Sequence, residues 1–137
     1  MKALVSGRRP HDNPPTLPVM EYMLLFRETA AEVAKSNDPV LSEAYWGAWG
    51  AYVDAVEKAG IIVSGAPLKP PHTATTVRIR DGQRHVQDGP YADTKEQLGG
   101  FYVINVPDLD TALLWAARCP AASGGSVEVR PVLQLPK

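Results

Sequence analysis

The sequence predicts an α+β fold in which the strands of one antiparallel sheet alternate with two helices and an inserted β-hairpin. Residues 20–26 form a nearly continuous apolar run that is too short for a helix. Apolar residues then recur at three- and four-residue intervals between residues 41 and 59, which is typical of an amphipathic helix. Alternating residues flank Asp81-Gly82, a dipeptide that a two-residue hairpin turn prefers. Strand and helix patterns in this order indicate one mixed domain.

The composition indicates one soluble domain without nucleic-acid or membrane partners. A chain of 137 residues has the length of one ordinary domain, and its 45% hydrophobic content is enough for a core. The 14 basic and 15 acidic residues nearly cancel and form no basic stripe, so neither direct nucleic-acid binding nor attraction to anionic membranes is expected. Cys119 is the single cysteine, which excludes an intrachain disulfide. We expect a cytoplasmic location, because no apolar run approaches a membrane span or the core of a signal peptide.

Residues 1–19 are predicted to be an extension outside the core. They contain four of the 13 prolines and show neither helical nor strand periodicity. Proline-rich segments are extended and cannot join the interior of a sheet. The predicted domain therefore covers residues 20–137.

The first strand and the first helix account for the beginning of this domain. The apolar run Met20–Phe26 predicts a central strand that is buried on both faces. Asp38-Pro39 supplies a helix N-cap and a proline at the first helical position, and Gly60 stands where helices commonly end. Trp46 and Trp49 flank the apolar stripe, and we expect them to pack at its border or in a subunit contact rather than against a ligand. The stripe itself consists of Leu41, Tyr45, Ala48, Tyr52, Val56 and Ala59.

The register of the hairpin follows from its turn. A turn centred on Asp81-Gly82 places Val77 opposite Val86 and Thr75 opposite Asp88. Strand alternation then puts Asp88 on the same apolar face as Val86. A carboxylate on a buried face needs partners, so this register draws attention to Asp88.

The remaining elements complete the predicted topology. In the last strand Val127 and Val129 share one face, and Glu128 and Arg130 share the other. The order strand, helix, strand, hairpin, strand, helix, strand predicts a ferredoxin-like βαββαβ unit with an inserted β-hairpin. The additional elements are strands at residues 61–63, 101–106 and 126–133 and a helix at residues 109–119, which Asp108 caps and Pro120 stops.

The stretch Asp88–Gly100 resembles the signature of a known family. Its Asp88-Gly89-Pro90-Tyr91 is similar to the Asp-Gly-Pro-Phe motif of the YCII-related, or DGPF, family, with tyrosine in place of the usual phenylalanine. The resemblance implies a homodimer whose two sheets face each other as a dimeric α+β barrel. Some members of the wider superfamily are thought to use a histidine-aspartate pair near the first helix, but this chain has no histidine between residues 12 and 71. Further matching segments, in order between residues 20 and 133, are Thr94-Lys95-Glu96, Leu98–Tyr102, Pro107–Asp110, Ala116–Pro120 and Val127–Val132.

The predicted site is a cleft on the sheet face opposite the helices, between the two sheets of such a dimer. Two helices cover only one face of a four-stranded sheet, so the other face must meet something else. A partly desolvated carboxylate in this cleft is suited to proton exchange, and a nearby cation is suited to an anionic ligand. The candidate catalytic residues are Asp88, Glu96 and His72, and the candidate ligand-binding residues are Tyr91, Lys95 and Arg130.

Each candidate also has a structural interpretation. Asp88 can bond the backbone of its own turn, and Arg130 can pair with an acidic neighbour, either Glu128 or Glu96. The hydroxyl of the motif tyrosine can simply reach water, and a histidine in a proline-punctuated loop is typically a surface residue. The three histidines lack the spacing of metal ligands and no nucleotide-binding glycine motif is present, so neither a metal nor a cofactor is expected.

The sequence leaves three functions open. The first is cofactor-free acid/base chemistry on a small anionic or enolisable organic molecule in the dimer cleft. The second is a non-catalytic ligand-binding or regulatory module, because DGPF-type domains resemble proteins associated with sigma-factor-type transcription regulation. The third is a stability or assembly protein in which the Asp88–Gly100 stretch is purely structural. Whether the protein is an enzyme stays open at this point.

Overall fold

The computed structural model describes residues 20–90 and 94–136 and confirms the α+β fold. A four-stranded antiparallel sheet has the order β2-β5-β1-β6, and β3 and β4 form a separate two-stranded hairpin. This is the ferredoxin-like arrangement with an inserted hairpin. The predicted N-terminal extension lies outside the described residues. The strands are β1 (Met20–Thr29), β2 (Ile62–Pro67), β3 (Thr75–Arg80), β4 (Gln83–Asp88), β5 (Glu96–Val106) and β6 (Gly125–Pro131); the helices are α1 (Ala30–Lys35), α2 (Ser42–Ala59), α3 (Leu109–Arg118) and α4 (Ala121–Gly124).

The central strand β1 is longer than predicted and is fully buried on one face only. It continues to Thr29, so that Tyr22, Leu24, Phe26 and Glu28 are buried while the residues between them are half-buried. Both α2 and α3 contribute to the core that covers the buried face. The prediction of a strand buried on both faces is wrong for the single chain, because both helices pack on the same side of the sheet. The opposite side of the sheet, which we call the open sheet face, carries the half-buried residues of β1.

The long helix α2 begins later than predicted and buries a different stripe. Asp38 Oδ1 accepts hydrogen bonds from the backbone N–H groups of Val40 and Leu41, as a capping residue does, but the regular helix starts at Ser42. The helix ends at Gly60, which has the positive φ of 70° that the sequence predicted there. Of the predicted stripe, Leu41, Ala48 and Ala59 are exposed. The side chains that pack inward are Tyr52 and Val56, with Trp49 and Val53 partly buried beside them.

The hairpin has the predicted register. Val77 pairs with Val86 and Thr75 pairs with Asp88, while Asp81 and Gly82 take positive φ angles of 51° and 73°, as a type I′ turn requires. The apolar face that was expected to be buried is exposed, however: among the described residues the hairpin is a sheet of its own, and Val77 and Val86 are more than half exposed. Asp88 is therefore exposed in the described chain.

Strand β5 begins inside the stretch that was predicted as a loop. Residues 96–100 pair with the end of β1, and a bulge at Gly99 shifts the register between Phe26 and Arg27. A Cβ atom on Gly100 would lie 2.9 Å from the Ala66 carbonyl oxygen, so glycine allows the close backbone approach there. The glycine pair thus lets β5 pass between β1 and β2 at the bulge.

The C-terminal elements follow the sequence prediction closely. Asp108 accepts a hydrogen bond from the Thr111 backbone N–H at 2.8 Å and caps α3. In β6, Glu128 and Arg130 pair with Leu25 and Met23 and therefore lie on the open sheet face. No helix among the described residues is long and apolar enough to cross a membrane.

Candidate functional site

A cavity of about 460 Å³ lies on the helix side of the sheet, between α2, the end of β1, the bulged part of β5 and the segment after β2. Its walls are mostly apolar and aromatic, as is typical of small-molecule sites. Phe26, Trp46, Trp49, Val53, Leu68, Leu98 and Tyr102 supply the apolar lining, and Glu28, Ser36, Asn37, Tyr45, Lys69 and Gln97 supply the polar lining.

Glu28 is the buried acid of this cavity. Its exposed fraction is 8%, and it stands in the same alternating series as the buried residues Tyr22, Leu24 and Phe26. The Tyr45 hydroxyl lies 2.9 Å from Glu28 Oε1 and 2.8 Å from Oε2, so it donates to the carboxylate across both oxygens. The hydrogen bond between Tyr45 and the Glu28 carboxylate thus joins the end of β1 to the first turn of α2.

Burial raises the pKa of Glu28 above the ordinary carboxyl value of 4.5. The hydrogen bond from Tyr45 opposes this rise, the negative charge of Glu32 adds to it, and the Trp49 indole lowers the pKa slightly. The pKa of Tyr45 is also raised, first by burial and then by its hydrogen bond to Glu28. Tyr45 therefore stays protonated and acts as a donor, while Glu28 is the group that gains and loses a proton.

Trp49 places a second donor near this pair. Its indole influences the Glu28 carboxylate, but its Nε1 is buried and no described acceptor meets hydrogen-bond geometry with it. The ring is held by an edge-on contact with Phe26 at a centroid distance of 5.4 Å. Trp46 is fixed differently, because its Nε1 donates to the Ser36 carbonyl oxygen at 3.0 Å. Both indoles line the cavity.

The bulge in β5 forms the other wall beside Glu28. A Cβ atom on Gly99 would lie 3.2 Å from Glu28 Oε1, so the absence of a side chain there leaves room for the carboxylate. Gln97 is paired with Glu28 and also lines the cavity. Leu98, which pairs with Arg27 just before the bulge, also lines the cavity.

The single chain does not bring the predicted site residues together in this cavity. Asp88 is exposed at the end of the hairpin, and none of its atoms lines the cavity. Arg130 forms an ion pair with Glu128, which also pairs with Arg27 at 3.0 Å. Glu96 accepts a hydrogen bond from the Ser126 hydroxyl at 2.6 Å. In the described chain Arg130 therefore pairs with an acidic neighbour, Glu128, as its structural interpretation expected.

His72 and Lys95 do not line the cavity either. His72 is exposed in a short 3₁₀ turn, Pro71–Thr73, although its neighbour Pro71 lines the cavity. Lys95 is exposed just before β5. Tyr91 lies outside the described residues. These assignments remain predictions about an assembly of more than one chain.

The sequence did contain a signal for Glu28. Extending the alternation of Tyr22, Leu24 and Phe26 by one step reaches Glu28, a carboxylate on the buried face of a strand. The prediction ended the strand at Phe26, where the apolar run stops, and so missed it. Tyr45 was assigned to the apolar stripe without considering its hydroxyl group.

No cluster of three histidine, cysteine, aspartate or glutamate side chains suited to a metal ion occurs among residues 20–90 and 94–136. Cys119 is buried away from the cavity, and burial raises the pKa of its thiol to about 12. A thiol with such a pKa is protonated at neutral pH and is a poor nucleophile. Glu28 is the carboxylate among the described residues that line the cavity.

The raised pKa of Glu28 predicts a pH-dependent stability. The folded protein retains a proton on Glu28 at pH values above 4.5 at which the unfolded chain has released it, so this group stabilises the fold fully below 4.5. That contribution is lost as the pH rises through the folded-state pKa. We expect the free energy of unfolding of the wild type to fall with rising pH relative to Glu28→Gln, measured by urea denaturation. Parallel pH profiles for the two proteins would contradict the assignment, and exposed Glu43→Gln is the control.

Comparisons with known proteins agree with this domain. The model of the YCII-related domain matches residues 20–136. An uncharacterized protein of Rhizobium meliloti (strain 1021) is 47% identical over 77 residues, which are 55% of this chain and 62% of that relative. The chain thus spans less than two thirds of the length of the relative it matches. Because the domain match covers every described helix and strand, this chain belongs to the YCII-related domain family.

Proposed function

We propose that the cavity binds a small, largely apolar organic molecule with an enolisable carbonyl group, and that Glu28 exchanges a proton with it. The observation that carries the proposal is a buried carboxylate, held by one tyrosine donor, that lines an aromatic cavity of about 460 Å³. A cavity of this size and lining suits a compact ligand with an apolar body. The site differs from the dimer cleft predicted from sequence, since it lies on the helix side of the sheet.

The chemistry follows from the state of Glu28. As a base, its carboxylate takes a proton from the carbon next to the ligand carbonyl; the C–H electron pair forms the enol double bond, and negative charge moves to the carbonyl oxygen. Returning the proton to carbon regenerates the carboxylate. Burial raises the pKa of Glu28 above the ordinary carboxyl value, which makes its carboxylate a stronger base than an exposed one. Tyr45 orients the carboxylate throughout, since its hydroxyl reaches both oxygens.

Deuterium exchange tests this proposal directly. Phenylpyruvate is a suitable probe because it combines an aromatic ring, a carbonyl group and an acidic CH₂ group. We expect the protein to accelerate loss of the benzylic proton signal in D₂O above the buffer rate, followed by NMR. Saturable calorimetric binding without accelerated exchange would support the non-catalytic ligand-binding or regulatory alternative instead. If the probe showed no binding and no accelerated exchange, the proposed function would be refuted.

We also infer that two copies pair through the open sheet face. Met23, Leu25 and Phe101 give this face half-buried apolar side chains, and Arg27, Glu128 and Arg130 add an ion-pair network beside them. Soluble monomers rarely expose a large contiguous apolar patch. Pairing would bring the predicted residues Glu96 and Arg130 of two chains to one interface, where their proposed ligand role belongs.

Light scattering at micromolar concentration is expected to give twice the 14.8 kDa mass of the chain. Phe101→Glu should shift this mass toward one chain, because it places a charge in the apolar part of the interface. Leu114→Glu is the matched control, since Leu114 is 67% exposed on α3. A one-chain mass for the wild type would exclude the dimer.

A further inference from the structure

The cavity has a second charged residue, Lys69, in addition to Glu28. Of the described side chains that line the cavity, these two are the ones that carry a full charge when ionised. Glu28 is buried, whereas Lys69 is exposed and belongs to the segment that follows β2. Lys69 forms no ion pair with any carboxylate in the described part of the chain, so its ammonium group is available to a ligand there.

The backbone around Lys69 is held on both sides. The Leu68 N–H donates to the Gly99 carbonyl oxygen at 2.9 Å, and Pro67 pairs with Gly100. After Lys69, the Thr73 hydroxyl donates to the Pro70 carbonyl oxygen at 2.7 Å. Proline fixes φ at about −65°, so Pro70 restricts this segment further. The position of the Lys69 Cα atom is therefore set before any ligand arrives, although its side chain is free to adjust.

Gly99 is a common neighbour of Glu28 and of the segment that carries Lys69. Its carbonyl oxygen accepts a hydrogen bond from the Leu68 N–H, and a Cβ atom on Gly99 would lie 3.2 Å from Glu28 Oε1. Glu28 and the residue before Lys69 are thus both neighbours of Gly99, and Glu28 and Lys69 form no ion pair with each other. A ligand that contacts both Lys69 and Glu28 needs an anionic group near Lys69 and an acidic C–H group near Glu28.

We propose that Lys69 determines specificity by binding the carboxylate of the ligand, so that the substrate class is small oxo acids with an enolisable carbonyl group and an apolar body. This inference rests on the proposed proton exchange at Glu28. One ammonium group matches a monoanion, whereas a phosphate carries nearly two charges and prefers several donors or an arginine fork.

The experiment compares an acid with its neutral ester. Proton exchange is measured for phenylpyruvate and for methyl phenylpyruvate with wild type, Lys69→Met and Lys58→Met. Lys58 is the control because it is a solvent-exposed lysine on α2 that pairs with Asp54 and does not line the cavity. We expect Lys69→Met to raise the KM for the acid by about five- to tenfold, as for a partly exposed charge pair, with little change in kcat. The KM for the ester should be the same in all three proteins.

The outcomes separate this inference from the proposed function. Equal effects of Lys69→Met on acid and ester, or no effect on either, would overturn the role of Lys69 while leaving proton exchange intact. Absence of exchange with both probes in the wild type would overturn the proposed function and this inference with it. A KM for the acid that rises with ionic strength in the wild type, but not in Lys69→Met, would further support the charge pair.

Discussion

Glu28→Gln is expected to slow deuterium exchange of phenylpyruvate by at least about 100-fold, because a positioned general base typically contributes about 10²–10⁴-fold. Glutamine has the same shape and still accepts a hydrogen bond from Tyr45, but it does not take a proton from carbon. Its effect should therefore appear in kcat, with a KM close to that of the wild type. The measurement is the exchange rate by NMR over a range of probe concentrations.

The controls for this variant are chemical and structural. Glu43→Gln removes an exposed carboxylate from the first turn of α2 and should leave the rate unchanged. Tyr45→Phe keeps the base but removes its donor, so the pKa of Glu28 should rise and the pH profile of exchange should move to higher pH. If Glu28→Gln retained the wild-type rate, Glu28 would not be the base.

Gly125→Ala is expected to lower the free energy of unfolding by about 3 kcal/mol, the upper end of ordinary overpacking costs. A Cβ atom on Gly125 would lie 2.1 Å from the Arg27 carbonyl oxygen and 3.0 Å from the Cα of Glu28, so the backbones of β6 and β1 would have to separate. Because Gly125 pairs with Glu28, the same separation should disturb the cavity. Urea denaturation followed by circular dichroism measures the effect.

A graded series of glycine variants tests the same reasoning. Gly100→Ala should cost less, about 1–2 kcal/mol, because its Cβ would lie 2.9 Å from the Ala66 carbonyl oxygen. Gly47→Ala should instead stabilise by about 0.5–1 kcal/mol, since Gly47 is an exposed α2 residue with nothing within 4 Å of its Cβ position. A Gly125→Ala protein that unfolds at the wild-type urea midpoint would show that the two strands separate without cost.

Local chemistry explains which elements were predictable from the sequence. The hairpin register was correct to the residue because Asp81-Gly82 dictates its turn geometry without help from the rest of the fold. Asp108 and Pro120 likewise bounded α3 to within one residue. The order of strands and helices then fixed the ferredoxin-like topology, since few other arrangements connect these elements.

The candidate site depended on tertiary packing that local patterns do not contain. Asp88 shares the apolar face of its hairpin as predicted, but that face stays exposed because no other described element covers it. The sequence does not show where β1 ends, because the last buried residue in its alternating series is Glu28 rather than another hydrophobic residue. The bulge at Gly99, which shapes the cavity wall, arises only when β5 pairs with β1.

The aromatic lining of the cavity gives the protein a built-in optical reporter. The chain has three tryptophans; Trp46 and Trp49 line the cavity, and Trp115 lies on α3 with the Arg118 guanidinium 4.4 Å from its ring centroid. A bound molecule changes the polarity around the first two indoles and leaves the third in its fixed surroundings. Intrinsic fluorescence can therefore report occupancy without a label, and with Trp115→Phe the whole signal would come from the cavity. Collections of small oxo acids can be screened in this way before any reaction product is known.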